Sequence, residues 1–322
     1  MAGKRRLLIG AARWALGIAI LVFLLLRFDF EAVALTLRHV DLRIAVPALA
    51  GLAAVHLLGA TAWRELTILL AGVRLPWRTT VTQYYAAQAV GSITPANLGA
   101  DAYRLAAARH HGAGWTTLLL PIVVQRVTSY VALSLVSLVG LALLPSSFAT
   151  RLLVLSGVVL TLVTAAVLLA VRRPHLFAGP LRLLPRRLRP VAPDTALPRR
   201  AWTAALASGI GLAFLFHATS IALVYALVVA LGGSGSPWPV LAAIAVARLS
   251  ILIPLSPSGL GFQEAALSVL FLQIGLPADM ALATALLNRA ALVATMALGA
   301  GFIASGQTAH SAATRGLTTP TA

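Results

Sequence analysis

The chain alternates between long apolar runs and short polar segments. Six of the runs can each cross a bilayer as one helix, because about 20 residues at about 1.5 Å each span a hydrocarbon core of about 30 Å. The pattern therefore predicts an all-α, polytopic membrane protein. The predicted full spans are residues 7–26, 44–72, 115–144, 151–171, 201–231 and 279–305.

Two further apolar segments, residues 80–110 and 239–275, are interrupted near their middle by proline and glycine. Each half is short for a full span, so a re-entrant helix hairpin is the simplest interpretation. Two tilted or kinked spans would give the same topology. Backbone freed from a helix is tolerated at membrane depth only when it is buried in protein or lines a wet cavity. Both breaks are therefore candidate sites.

Basic residues concentrate between the apolar runs. In an arrangement of six spans and two hairpins, all the strongly basic segments fall on one side of the membrane. The positive-inside rule identifies that side as cytoplasmic and places both termini there, in the cytoplasmic (inner) membrane. These segments are residues 4–6, 74–78, 104–109 and 172–200.

The arginine-rich segment 172–200 is predicted to be a cytoplasmic loop that divides one membrane domain, residues 1–322, into two halves. The first half is 1–171 and the second is 201–306. The small, polar tail 307–322 is expected to be disordered.

The composition supports a membrane protein and narrows its chemistry. The chain is 60% hydrophobic and 10% charged, with a mean hydropathy of +0.93, whereas soluble domains carry about a quarter charged residues. The net charge of +17 suits contact with anionic lipid headgroups, and no nucleic acid partner is expected. The chain has no cysteine and its histidines lack metal-ligand spacing, so we expect no metal and no cofactor.

The two breaks resemble each other, which indicates an internal repeat. Thr94–Asp101 aligns without gaps on Ser256–Gln263, and the acid Glu264 follows one position later. Each break is followed by a similar dipeptide, Gln125-Arg126 after the first and Asn288-Arg289 after the second. Three full spans separate the breaks, so the two units enter from opposite faces. This predicts the inverted-topology repeat of many secondary transporters, with a site where the broken helices meet.

Four charges are predicted to lie well inside the membrane: Arg126, Arg248, Glu264 and Arg289. Such charges usually mark a pathway or an ion pair. For the arginines at 126 and 289, two interpretations remain open. They either pair with Asp101 and Glu264 and lock the hairpins, or they bind a ligand. His56 and His217 are interpreted as buried hydrogen-bonding residues.

The second half-helix of each hairpin is predicted to point backbone N–H groups and a positive dipole end into a cavity, which favours a phosphate. Guanidinium groups can bind that phosphate, and the two acids can contact the rest of a lipid head. The candidate substrate-binding residues are Pro95, Asn97, Gly99, Asp101, Arg126, Pro257, Gly259, Gly261, Glu264 and Arg289.

At these residues the chain resembles the lysylphosphatidylglycerol synthase transmembrane-domain family, also called the flippase-like domain family. Pro95–Asp101 matches its Pro-x-x-x-Gly-Asp-like break. Ile253–Glu264 matches its Ile-Pro-x-x-Pro-Gly-Gly-x-Gly-x-x-Glu-like break, with Arg289 in the last span. Ser258 replaces the first glycine of the glycine pair. The resemblance covers most of residues 7–306 and implies translocation of a lipid or lipid-linked substrate.

The expected function is thus a flippase-like transporter for an anionic phospholipid or a polyprenyl-linked lipid. The alternative is a non-catalytic membrane partner or regulator of a lipid-modifying or glycosyl-transferring enzyme. We expect no enzyme activity, because the residues after Ser305 are too few for the soluble aminoacyl-transferring domain of some family members. Candidate protein partners are a second copy of the chain and a lipid-modifying enzyme.

Overall fold

The computed structural model describes residues 2–94, 97–109, 114–142, 161, 197–234, 236–249 and 256–307. Within these ranges the chain is helical and contains no strand. The helices are α1 Ala2–Arg27, α2 Phe30–Arg38, α3 Leu42–Ala54, α4 His56–Ala71, α5 Trp77–Ser92, α6 Leu98–Arg109, α7 Trp115–Ala142, α8 Arg199–Ala230, α9 Pro237–Leu249, a 3-10 turn Pro257–Gly259, α10 Phe262–Gln273 and α11 Ala278–Ala304.

As predicted, the chain is an all-α, multi-pass membrane protein. Five stretches in the described ranges are long and apolar enough to cross a bilayer. The sixth predicted span, 151–171, lies outside the described residues apart from position 161. The five are Gly10–Arg27, Leu42–Ala71, Thr117–Gly140, Arg199–Ala230 and Ala278–Ala304.

The second span is composed of two helices, α3 and α4, that meet at Val55. Val55 keeps a right-handed helical conformation, so the chain continues in the same direction. Before this span, Asp29 caps α2 by accepting hydrogen bonds from the backbone N–H groups of Glu31 and Ala32. Asp41 caps α3 in the same way, through the N–H of Arg43. Two of the acids between the first two spans therefore cap helix N-termini.

The first broken segment contains α5 and α6, of 16 and 12 residues. Both are shorter than the roughly 20 residues of a spanning helix. Between them the Thr94 hydroxyl accepts from the N–H of Gly99 at 2.8 Å and donates to the carbonyl of Gly91 at 2.9 Å. Asn97 adopts a left-handed backbone conformation with φ +57°. The break lies where proline and glycine predict it.

The second broken segment contains α9 and α10, of 13 and 12 residues. Residues 250–255 lie outside the described ranges. After them the backbone is left-handed at three positions, with φ +48° at Ser258, +66° at Gly259 and +73° at Gly261. Glycine at position 261 adopts this positive φ without strain because it has no Cβ. In addition, a Cβ at position 261 would lie 2.3 Å from the carbonyl oxygen of Gly17 in α1.

The helix ends form two layers. At one end, which we call the Asp41 end, the N–H of Asp41 donates to the carbonyl of Ala230 at 2.8 Å, and Thr36 bonds Asp279. At the opposite end, which we call the Thr82 end, the hydroxyl of Thr82 donates to the carbonyl of Gln307 at 3.4 Å. At both ends, these contacts connect the first half of the chain to the second half.

Each broken segment packs against a span from the other half of the chain. Helix α5 packs against α11, and α9 packs against α7, while α8 contacts α3, α4, α7, α9 and α11. Close crossings use small residues, as is common where helix backbones approach in a membrane. A Cβ at Gly140 in α7 would lie 2.9 Å from the Cα of Ala242 in α9. At Gly299 in α11 it would lie 2.0 Å from the carbonyl oxygen of Tyr85 in α5.

Candidate functional site

A cavity of about 350 Å³ lies inside the bundle, between the two broken segments and helices α4, α7, α8 and α11. Its volume falls in the range of ligand sites, about 300–1,000 Å³. A large share of its lining is polar although the surrounding helices are apolar. The polar and charged lining residues include His56, Gln88, Asn97, Asp101, Arg104, Gln125, Arg126, His217, Arg248, Gln263 and Asn288.

Asp101, in the first turn of α6, is the centre of the first charged cluster. It accepts hydrogen bonds from Arg104, one helical turn further along, and from Nε of Arg126 in α7. Arg126 also donates to the carbonyl of Asn97 at 3.1 Å and to the hydroxyl of Tyr130 at 3.0 Å. One carboxylate thus connects α6 to the next span, and Arg126 in turn holds the left-handed Asn97 at the break.

Arg104 is nearly buried and has contacts beyond Asp101. Its guanidinium donates to Oε1 of Gln125 at 2.5 Å. It also lies over two aromatic rings, 5.7 Å from the ring centre of Trp63 and 5.5 Å from that of Tyr84. Cation–π contact and the ion pair together compensate the charge of this arginine.

Glu264, in the first turn of α10, is the centre of the second cluster. One of its oxygens accepts from the N–H of Gly261 at 2.7 Å, which caps the helix, and the other accepts from Nε of Arg289 at 2.6 Å. Arg289, in α11, also donates to the carbonyls of Ser258 and Gly259, each at 3.2 Å. The acid therefore fixes both the helix start and the adjacent span.

The two clusters are built alike. In each, the arginine lies 25 residues after its acid, donates Nε to that acid and donates from a terminal nitrogen to at least one carbonyl at the break. The breaks also touch each other, because the hydroxyl of Ser258 donates to the carbonyl of Ser92 at 3.3 Å. Arg126 pairs with Asp101 and Arg289 pairs with Glu264, as one of the two interpretations from sequence predicts. Ligand contact by either arginine stays a prediction.

The predicted site residues are divided between the cavity wall and the layer behind it. Asn97, Asp101, Arg126 and Gly259 line the cavity. Pro95 lies outside the described residues. The remaining members of the predicted set do not line the cavity, and their contacts hold the breaks in shape: Gly99, Pro257, Gly261, Glu264 and Arg289.

Sequence reasoning left several cavity residues out of the predicted site. The position of Arg248 in an apolar run predicts that it lies inside the membrane, but the run indicates no role for it. Gln263 and Asn288 each precede a residue that was chosen, Glu264 and Arg289, and face the cavity where those do not. The helical period, which rotates successive side chains by about 100°, is the signal that identifies them.

The two cavity histidines make hydrogen bonds, in agreement with their interpretation from sequence. Gln88 donates to Nδ1 of His56 at 3.0 Å and accepts from the amide of Asn97 at 3.3 Å. Nε2 of His217 lies 3.1 Å from the hydroxyl of Ser129. In the part of the chain that the structure describes, no three histidine or acidic side chains are grouped so that they could hold a metal ion.

Comparison with known proteins gives a match for most of the chain. The family model described as the lysylphosphatidylglycerol synthase TM region matches residues 10–299. No curated protein matches the sequence. The matched range includes both breaks and both charged clusters.

Proposed function

Because the chain belongs to the lysylphosphatidylglycerol synthase transmembrane-region family, whose name suggests a function related to membrane lipids, we propose that it is a flippase-like lipid transporter. It moves an anionic phospholipid or a lipid-linked headgroup across the cytoplasmic membrane. The observation that carries this proposal is the partly polar cavity of about 350 Å³ between apolar helices. No catalytic step is part of the proposal.

The physical problem for a lipid transporter is the headgroup, because the acyl chains stay in an apolar medium throughout. Moving an unpaired charged group to the bilayer centre costs several kcal/mol or more. A cavity lined by arginine, amide and hydroxyl groups replaces the lost water contacts of the head. The apolar outer surface of the bundle remains available to the acyl chains.

The proposal includes two re-entrant hairpins in an inverted repeat, with both termini cytoplasmic. Several observations support it. The start of α5 lies at the Thr82 end, and Ala108 near the end of α6 packs with Leu75 and Leu118 at the same end. The start of α9 follows Ala230 and the end of α10 precedes Asp279, both at the Asp41 end. The two segments thus begin and finish at opposite ends of the bundle.

Transport in a purified system tests the proposal. The full chain is reconstituted into vesicles that contain phosphatidylglycerol labelled with a fluorophore on the acyl chain, and an impermeant reagent bleaches the label in the outer leaflet. Vesicles with the protein should lose most of their fluorescence, whereas protein-free vesicles should keep the inner-leaflet signal. If both keep it, for phosphatidylglycerol and for a polyprenyl-linked lipid, the transport proposal is wrong.

The residue assignment has its own test in the same vesicles. The double variant Glu264→Gln, Arg289→Ala should move lipid more slowly, because it removes the second charged cluster. Glu65→Gln, which alters an ion pair away from the cavity, is the matched control and should move lipid at the rate of the natural chain. Undiminished transport by the double variant would overturn the role of the second cluster and leave transport itself standing.

A further inference from the structure

Arg248 differs from the arginines of the two charged clusters. It lies in the last turn of α9, half-buried, and faces the cavity. Arg104, Arg126 and Arg289 each pair with an acid. Within the described part of the chain, Arg248 makes no hydrogen bond and no ion pair. Its guanidinium is therefore a cation inside the bundle that has no protein partner in these ranges.

The acids of the chain are occupied elsewhere. Asp101 and Glu264 are bound by arginines in the two clusters. The next six residues after Leu249 contain no acid, and Asp194 lies outside the described residues in the basic segment 172–200. The other described acids do not line the cavity: Asp29, Glu31, Asp41, Glu65 and Asp279. No carboxylate in the described ranges is left to neutralise Arg248.

Two side-chain amides lie beside Arg248. Gln263 in α10 and Asn288 in α11 line the main cavity, and all three residues also line an adjoining pocket of about 10 Å³. That volume holds about one water molecule, so the three side chains lie close together. In the described ranges neither amide makes a hydrogen bond within the protein. One free cation and two free amides thus converge on one corner, which we call the Arg248 corner.

The charge of the cavity wall shows which ligand this corner suits. The charged lining residues are one acid, Asp101, and three arginines, at 104, 126 and 248. The acid is shared between two of the arginines, so the wall carries excess positive charge and no free carboxylate in the described ranges. An anion is stabilised at such a wall, whereas an ammonium group meets excess positive charge and no free carboxylate in the described ranges.

We propose that Arg248 binds the anionic phosphate group of the transported lipid head, while Gln263 and Asn288 hydrogen-bond its hydroxyl groups. The corner thereby selects heads that carry a phosphate and hydroxyls but no amine, such as the head of phosphatidylglycerol. Guanidinium binds phosphate with two parallel hydrogen bonds, and side-chain amides can donate to and accept from hydroxyls. This assignment rests on the proposed transport function and specifies its substrate class.

Transport rates of phosphatidylglycerol and phosphatidylethanolamine in the same vesicles provide the first test. The natural chain should move phosphatidylglycerol at least about tenfold faster, and Arg248→Gln should lower that rate by about 10- to 100-fold, as expected for loss of a charge-assisted contact. Arg248→Lys should retain part of the rate. Arg78→Gln, on an exposed arginine of α5, is the control and should leave both rates unchanged.

The second test adds a charge. Asn288→Asp places a carboxylate of the same shape beside Arg248, where it should pair with the guanidinium. The variant should be at least as resistant to heat as the natural chain. It should nevertheless move phosphatidylglycerol at least about tenfold more slowly. This variant keeps the proposal testable if Arg248→Gln fails to fold, because its expected stability is not reduced.

A binding measurement tests the Arg248 corner independently of the transport assay. Short-chain phosphatidylglycerol should raise the thermal unfolding temperature of the detergent-purified natural chain but not of Arg248→Gln or Asn288→Asp. If the natural chain transports lipid and these variants bind and transport phosphatidylglycerol as it does, the Arg248 assignment is wrong and the transport proposal stands. If the natural chain moves no lipid, the transport proposal itself fails. Faster transport of phosphatidylethanolamine would also overturn the assignment.

Discussion

The ion pairs of this protein differ mainly in their exposure. In the Glu264–Arg289 pair, 1% and 12% of the two side chains are exposed, whereas in Arg64–Glu65 the fractions are 32% and 39%. A buried charge that loses its partner keeps its desolvation cost without compensation. An exposed charge that loses its partner is still stabilised by solvent. An exposed ion pair therefore contributes little to the free energy of unfolding.

Glu264→Gln should therefore lower the free energy of unfolding by about 3–5 kcal/mol, because Arg289 is left without a counter-charge. Glu65→Gln makes the same chemical change in the exposed pair and should cost about 1 kcal/mol or less. Titration of both variants with a denaturing detergent measures the difference. Equal losses would show that the buried pair does not stabilise the second break.

At the residue scale, the sequence predicts the positions of the breaks and the matched acid and arginine after each. It does not predict that Asp101 is shared by Arg104 and Arg126, although the spacing of three residues on one helix allows the first contact. Nor does the sequence predict that Arg248 has no acidic partner in the described ranges. Whether an intramembrane arginine finds an acid depends on how distant helices pack, and hydropathy carries no information on that.

At the element scale, the broken helices are held by close backbone approaches to the intact spans. Gly299 of α11 faces the carbonyl of Tyr85 in α5, and Gly301, two residues later, faces open space. The sequence alone does not separate these glycines, since both lie in one apolar helix. The difference arises from the rotation of α11 against α5, which the packing of the whole bundle determines.

Gly299→Ala should destabilise the protein by about 1–3 kcal/mol, because a Cβ would lie 2.0 Å from the Tyr85 carbonyl oxygen and α5 would have to shift. Gly301→Ala is the matched control. With no atom within 4 Å of its added Cβ, it should be neutral or slightly stabilising, since alanine favours a helix over glycine. Thermal unfolding in detergent compares the two, and equal unfolding temperatures would contradict the close contact.

At the scale of the whole molecule, the positions of the long apolar helices follow from sequence, because membrane thickness sets the length of a spanning helix. The five described spans agree with five of the six predicted. The sequence predicts a cavity where the broken segments meet but not the full composition of its walls, since these come from four spans and two broken segments that are far apart in sequence. Polar residues within apolar runs are predicted to lie inside the bundle. Only the packing of the helices shows which of them face one another.

The absence of cysteine from the natural chain permits a direct measurement of its orientation. Arg74 and Ser234 are exposed and precede the first and second broken segments, respectively. In an inverted repeat these segments start on opposite faces, so Arg74→Cys should react with an impermeant maleimide only from the cytoplasmic side. Ser234→Cys should react only from the other side. Labelling of right-side-out and inverted membrane vesicles distinguishes the sides, and reaction of both cysteines from one side would exclude the inverted arrangement while leaving the helices and the cavity as they are.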